Sequence, residues 1–145
     1  MRFDIQHTID IDAAPDRVWE HLADTSSYGE WNPFIRELTG EFAEGRELRA
    51  RIAPPGGREM MFSPTVLAAK PGRELRWAGR LLVRGLFDGE HSFVIDPLPG
   101  GRTRLTQAER FTGLLVRMSR GSLGKTRDGF EQMNVALKHR AEAQI

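Results

Sequence analysis

Three stretches decide the fold that we expect: DAAPDRVW at residues 12–19, YGEWNPF at 28–34 and GFEQMNVALK at 129–138. The proline of the first stretch suits the first turn of a helix, where its missing N–H would have no partner anyway. The proline of the second stretch disfavours helical geometry in the residue before it, so a second short helix must end there. The third stretch repeats apolar residues at three- and four-residue spacings, which predicts the inner face of a long terminal helix.

Alternating residues predict strands on either side of the short helices. The apolar residues of the first segment all have odd numbers: Phe3, Ile5, Ile9 and Ile11. Similar alternation runs through 48–52, 60–66, 75–81, 91–95 and 105–111. Glycine and proline turns separate these segments without any helical pattern, which favours an antiparallel meander. We expect the glycines inside the strands, Gly79, Gly85 and Gly89, to form bulges or hairpin corners.

The composition is that of one globular domain covering residues 1–145. Lysine and arginine number 21 against 20 acidic residues, and this balance argues against a nucleic-acid partner. Cysteine is absent, so disulfides and thiolate chemistry are excluded. No apolar run is long enough for a membrane span, and the N-terminal segment alternates instead of forming a signal peptide. We therefore expect a cytoplasmic protein.

The same stretches carry a resemblance to a known family. Ala14 to Trp19, the corner from Trp31 to Phe34 and the helix around Gly129 resemble the START-like superfamily called SRPBCC, in its polyketide cyclase/dehydrase and lipid-transport branch. This resemblance spans nearly the whole chain and implies an α+β helix-grip fold. In that fold a seven-stranded antiparallel sheet wraps around a long C-terminal helix, and two short helices lie between strands 1 and 2. It also implies an internal cavity for a lipid, a polyketide or an aromatic compound.

His91 and Glu109 are the candidate catalytic residues. Each has the parity of its apolar neighbours, so both are expected to point inward from adjacent strands. A carboxylate beside an imidazole can fix the tautomer of the ring and make it a general acid or base. The alternative is a polar pair that only satisfies itself or orients a ligand.

A larger set of inward-facing residues is predicted to line the cavity. The alternative for its aromatic members is plain core packing, and the alternative for its asparagine is hydrogen bonding to the neighbouring strands. The set contains Trp31, Phe34, Met60, Phe62, Trp77, Phe93, Gln107, Phe111, Phe130, Met133, Asn134 and Leu137. Methionine suits such a lining because its side chain adapts to different shapes.

Histidines without a spaced partner make a metal site unexpected, and no cofactor is implied. His7 is interpreted as a core or rim residue, while His21 and His139 are expected to be solvated on helices. Three functions remain open: binding of a small hydrophobic molecule, cyclase or dehydratase catalysis through His91 and Glu109, and a non-catalytic protein-interaction role that predicts an exposed apolar patch. Both a monomer and a homodimer fit the sequence.

Overall fold

The computed structural model describes residues 2–81, 85, 87–116 and 120–143. Within these residues the chain is an α+β fold with the following elements in order: β1 (Arg2–Ile11), α1 (Pro15–Ala23), a single 3₁₀ turn (Thr25–Ser27), α2 (Tyr28–Trp31), β2 (Ile35–Thr39), β3 (Arg49–Ile52), β4 (Met60–Phe62), β5 (Thr65–Lys70), β6 (Glu74–Leu81), β7 (Phe87–Leu98), β8 (Arg102–Thr112) and α3 (Arg120–Glu142). The long terminal helix and the two short helices between the first strands confirm the predicted helix-grip arrangement.

The described strands form two antiparallel sheets instead of the single seven-stranded sheet that was expected. The main sheet has the order β1-β8-β7-β6-β5, and the small sheet has the order β2-β3-β4. The predicted strand over 60–66 was wrong, because the chain divides it into β4 and β5 at Pro64. Proline has no N–H to give to a strand ladder, so it interrupts the pairing. An isolated β-bridge between Glu47 and Thr65, together with backbone hydrogen bonds from Leu48 to Pro64 and from Val66 to Arg46, connects the segment before β3 to the main sheet.

Strand register places the inward residues of the main sheet in rows. One row crosses from Trp77 through His91 and Glu109 to Ile5. The next row crosses from Leu75 through Phe93 and Gln107 to His7. Because side chains alternate faces along a strand, both rows point to the same side of the sheet.

Helix α3 packs on that side of the sheet, mainly against β1 and α1. Its buried residues recur at helical spacings, as the sequence predicts: Leu123, Phe130, Met133, Asn134, Leu137 and Ala141. The corner between α2 and β2 is held by Asn32, whose Oδ1 accepts hydrogen bonds from the N–H groups of Phe34 and Ile35 at 2.9 and 2.8 Å. Phe34 is thereby directed against the ring of Phe130, with 5.6 Å between their centroids.

Two of the three glycines predicted to form bulges or hairpin corners, Gly79 and Gly89, have a different role. Gly79 and Gly89 are direct partners in the regular register of β6 and β7, so neither forms a bulge. A Cβ atom at Gly89 would overlap the carboxylate of Glu109, and the missing side chain therefore makes room for that group. Gly85 does lie in a turn, with a φ of 91°. Its neighbours at 82–84 and 86 lie outside the described residues.

None of the helices in the described ranges is both long enough and apolar enough to cross a lipid bilayer.

Candidate functional site

A cavity of about 340 Å³ lies between the small sheet, one end of the main sheet and the first half of α3. The small sheet and its β3–β4 connection contribute mostly apolar wall residues: Ala50, Ile52, Pro54, Met60 and Phe62. The main sheet contributes Trp77, Gly79, Gly89, His91, Glu109 and Phe111. Phe34, Leu115 and Leu123 complete the apolar wall.

Two ionisable side chains meet in this wall. His91 Nδ1 lies 3.3 Å from Glu109 Oε1, and the two side chains are 2% and 17% exposed. They are direct cross-strand partners in β7 and β8, which explains why residues far apart in the sequence come into contact. This arrangement puts a buried ionisable pair into a mostly apolar surface.

The imidazole of His91 is held between aromatic rings. Its centroid lies 4.8 Å from Phe93, 5.0 Å from Trp77 and 4.9 Å from Phe130. Rings packed this closely on several sides prevent the imidazole from turning over, since protein interiors leave little free volume. The orientation of both ring nitrogens is therefore fixed by packing.

A chain of buried hydrogen bonds leads away from the pair into the core. His91 Nε2 lies 2.9 Å from Gln107 Oε1, and Gln107 Nε2 donates to Asn134 Oδ1 at 2.8 Å. Asn134 Nδ2 in turn lies 3.0 Å from His7 Nδ1 and donates to the His7 carbonyl oxygen at 3.1 Å. Glu109 of the cavity wall is thus connected through α3 to a half-buried histidine on β1.

The structure brings together seven of the residues predicted for the site. His91, Glu109, Phe34, Met60, Phe62, Trp77 and Phe111 all line the cavity. The remaining seven are not part of this wall in the described structure: Trp31, Phe93, Gln107, Phe130, Met133, Asn134 and Leu137. Six of these are buried in the core, and Trp31 is half-buried beside Tyr28. Contact of any of them with a ligand stays a prediction.

Several wall residues were missed by the sequence analysis. Ala50 and Ile52 occupy the inward-facing positions of the alternating segment 48–52, so their place in the wall could have been predicted from the sequence. Arg58, Lys125 and Thr126 also line the cavity. Sequence alone could not place them there, because their position depends on how the β3–β4 connection meets α3, where Lys125 Nζ donates to the Gly56 carbonyl oxygen at 3.1 Å.

The other histidines lie away from the cavity wall. His139 is exposed, as expected, but His21 is half-buried and its Nε2 has no hydrogen-bond partner among the described residues. Among the described residues no three His, Asp or Glu side chains are grouped as metal ligands would be.

The fold and the cavity agree with a match to a family model. The model for "Polyketide cyclase / dehydrase and lipid transport" matches residues 2–142. The chain belongs to this family. No curated protein matches the chain.

Three solved structures show the same fold at low sequence identity. The Zhui aromatase/cyclase from Streptomyces sp. R1128 is 19% identical, with a TM-score of 0.73 and 98% of this chain and 94% of that chain covered. A START superfamily protein from Mycobacterium smegmatis is 22% identical, with a TM-score of 0.72 and coverage of 96% and 97%. A hypothetical protein from Helicobacter pylori is 13% identical, with a TM-score of 0.78 and coverage of 97% and 88%. At these identities the similarity establishes the shared fold.

Proposed function

We propose that this member of the polyketide cyclase/dehydrase and lipid transport family binds a small, mostly apolar molecule in the cavity between its sheets and α3. The observation that carries the proposal is the cavity of about 340 Å³, whose wall is apolar except for a few polar groups. Small-molecule sites in proteins occupy roughly 300–1,000 Å³ and combine apolar walls with a small number of placed polar groups. The family description, which includes lipid transport, supports the same function.

Native mass spectrometry of freshly purified protein tests this proposal. We expect a co-purified small molecule, and we expect the variant Ile52→Trp to lose it, because Ile52 lines the cavity and a larger ring would fill it. The matched control is Leu67→Trp, which adds the same ring at an exposed position of β5. The absence of any bound molecule, together with an unchanged melting temperature across a panel of lipids and aromatic compounds, would contradict the proposal.

A second candidate function is catalysis of a cyclisation or dehydration, and the contact between His91 and Glu109 in the cavity wall favours it. In a dehydration, a base removes a proton from the carbon beside a carbonyl, and the hydroxyl group leaves as water after an acid protonates it. A carboxylate and an imidazole side by side offer both groups. One structural neighbour is named an aromatase/cyclase, which is consistent with this chemistry.

This second function is tested by incubating the protein with a β-hydroxy ketone that carries an aromatic ring and following the loss of water by mass spectrometry. We expect His91→Gln and Glu109→Gln to slow the reaction by about a hundredfold, as is typical for the loss of a general acid or base. Glu131→Gln, at an exposed position of α3, is the matched control. Equal rates in all variants would reject catalysis by this pair and leave the binding function intact.

A further inference from the structure

In the buried chain of hydrogen bonds behind His91, the donor and the acceptor of the last bond cannot be exchanged. At that end Asn134 faces the backbone carbonyl oxygen of His7 at 3.1 Å. A carbonyl oxygen only accepts hydrogen bonds, so the amide nitrogen of Asn134 must be the atom that faces it. Asn134 Oδ1 therefore points the other way, toward Gln107.

The orientation of Asn134 determines the donor and the acceptor in each of the other hydrogen bonds between Asn134 and His91. Gln107 Nε2 donates to Asn134 Oδ1 at 2.8 Å, which leaves Gln107 Oε1 facing His91 Nε2 at 2.9 Å. An amide oxygen cannot donate, so the hydrogen of this bond belongs to His91 Nε2. Gln107 and Asn134 are positioning residues in this sense, since they select which nitrogen of His91 carries a hydrogen.

The consequence appears at the other nitrogen of the ring. A neutral imidazole carries a hydrogen on only one nitrogen, so a neutral His91 would turn the lone pair of Nδ1 toward Glu109 Oε1 at 3.3 Å. Two acceptors would then face each other where His91 is only 2% exposed, and burying unpaired acceptors is unfavourable. A proton placed between Nδ1 and Oε1 converts this repulsion into an attraction between an imidazolium and a carboxylate. The surrounding rings exclude the alternative of turning the imidazole over.

The second carboxylate oxygen of Glu109 remains for the ligand. With the shared proton on the Oε1 side, Oε2 is an acceptor, and it lies over Gly89, which also belongs to the cavity wall. We propose that the bound molecule is an apolar compound with a hydroxyl group, and that this hydroxyl donates a hydrogen bond to Glu109 Oε2. The inference rests on the proposed binding function and adds the chemical class of the ligand. A ketone or an ether of the same shape would place an acceptor against an acceptor.

Matched ligand pairs test the proposal. β-Naphthol and decanol are compared with their methyl ethers by titration calorimetry on the full chain. We expect each hydroxyl compound to bind at least about tenfold more tightly than its ether, because a hydrogen bond to a charged acceptor is stronger than one between neutral groups. In Glu109→Gln the preference should fall to about threefold or less, while the control Glu131→Gln retains it.

The outcomes separate the two proposals. If the ethers bind as tightly as the hydroxyl compounds, the ligand class is wrong and the binding function stands. If no member of either pair binds and native mass spectrometry finds no co-purified molecule, the binding function itself is contradicted and the ligand class is rejected with it. A preference that survives unchanged in Glu109→Gln would show that another group recognises the hydroxyl.

A spectroscopic measurement tests the positioning role of Gln107. In protein with ¹⁵N-labelled histidine, NMR distinguishes a ring nitrogen that carries a hydrogen from one that does not. We expect His91 Nε2 to carry a hydrogen in the natural sequence, and we expect Gln107→Leu to leave a hydrogen on Nδ1 only. Gln132→Leu, on the exposed face of α3, is the control. If Nε2 of His91 carried no hydrogen in the natural sequence, the inference would be overturned, even if Gln107→Leu failed to fold.

Discussion

Gly129 lies where α3 passes the ring of Phe34, and this contact leaves no space for a side chain. A Cβ atom at position 129 would overlap Phe34 Cδ1, Cε1 and Cγ, and Phe34 is itself buried and fixed by the Asn32 corner. The sequence predicts only that glycine weakens the helix, because an intrinsic propensity carries no information on which neighbour approaches the backbone.

Two alanine substitutions in the same helix should therefore change stability in opposite directions. Gly129→Ala is expected to lower the free energy of unfolding by about 1–3 kcal/mol through overpacking. Gly124→Ala should raise it by about 0.5–1 kcal/mol, because position 124 is exposed and has open space around its Cβ. Urea denaturation of both variants measures these changes. Stabilisation in both cases would contradict the close approach of Phe34.

Asn32 provides a second prediction at the residue scale. Its buried Oδ1 accepts from two backbone N–H groups, so Asn32→Ala should lose about 1–3 kcal/mol of unfolding free energy by leaving both donors unpaired. Asn32→Asp keeps an acceptor oxygen at the same place and should lose less. Thermal unfolding followed by circular dichroism compares the two variants, and a larger loss in the aspartate variant would argue against this role of Oδ1.

Helix α1 is connected to the end of α3 through one side chain. Arg17 donates from Nε to the Ala141 carbonyl oxygen and from Nη2 to the Ala143 carbonyl oxygen at 2.7 Å. The last carbonyls of a helix have no partner within the helix, and the partial negative charge there attracts a cation. Arg17 therefore closes the C-terminal end of the helix that covers the sheet.

Replacing this arginine should loosen the last turn of α3. We expect Arg17→Met to lower the free energy of unfolding by about 1 kcal/mol, since the site is partly exposed. Amide hydrogen exchange should also accelerate in residues near the end of the helix. Arg49→Met, at an exposed position of β3, is the control. An unchanged rate of amide exchange in the last turn would show that the two hydrogen bonds from Arg17 do not stabilise the end of α3.

At the scale of elements, the strands that alternate regularly could be predicted and the irregular ones could not. The alternation in β1 and β8 is continuous, and both strands appear where the sequence predicts them. Strand β2 was missed because its register shifts between Ile35 and Glu37, so its buried residues Ile35 and Leu38 do not share a parity. A bulge of this kind removes the period-two signal on which the prediction depends.

For the candidate site too, alternation along the strands predicts only part of the arrangement. Parity correctly places His91 and Gln107 on one face of the sheet, but it does not say how far along the strand the cavity extends. The row of His91 and Glu109 meets the cavity, whereas the row of Phe93 and Gln107 is covered by α3. Periodicity specifies a face, and only the packing of the helix decides which part of that face stays open.

The stability of the whole molecule should depend on pH through His21. Burial lowers the pKa of this histidine, and the positive charges of Arg140 and Arg17 lower it further. The unfolded chain therefore takes up a proton at a higher pH than the folded protein does. Below about pH 6.5 the free energy of unfolding should fall, and it should continue to fall until the pH passes the folded-state pKa of His21.

The variant His21→Leu tests this dependence. It should reduce the change in melting temperature between neutral pH and mildly acidic pH, and His139→Leu on the exposed side of α3 is the matched control. The carboxyl groups of Asp10 and Glu142 also have lowered pKa values, because of their partners Arg104 and Lys138. Their protonation changes the stability only at more acidic pH. If the melting temperature of His21→Leu depended on pH in the same way as that of the natural sequence, the loss of stability could not be attributed to His21.

The division of the strands into two sheets separates two properties of the molecule. The main sheet holds His91, Glu109 and the hydrogen bonds that orient them, while the small sheet contributes Ala50, Ile52, Met60 and Phe62, which face the same space from the other side. Substitutions in β3 and β4 can therefore alter the size and shape of the cavity without changing the contact between His91 and Glu109.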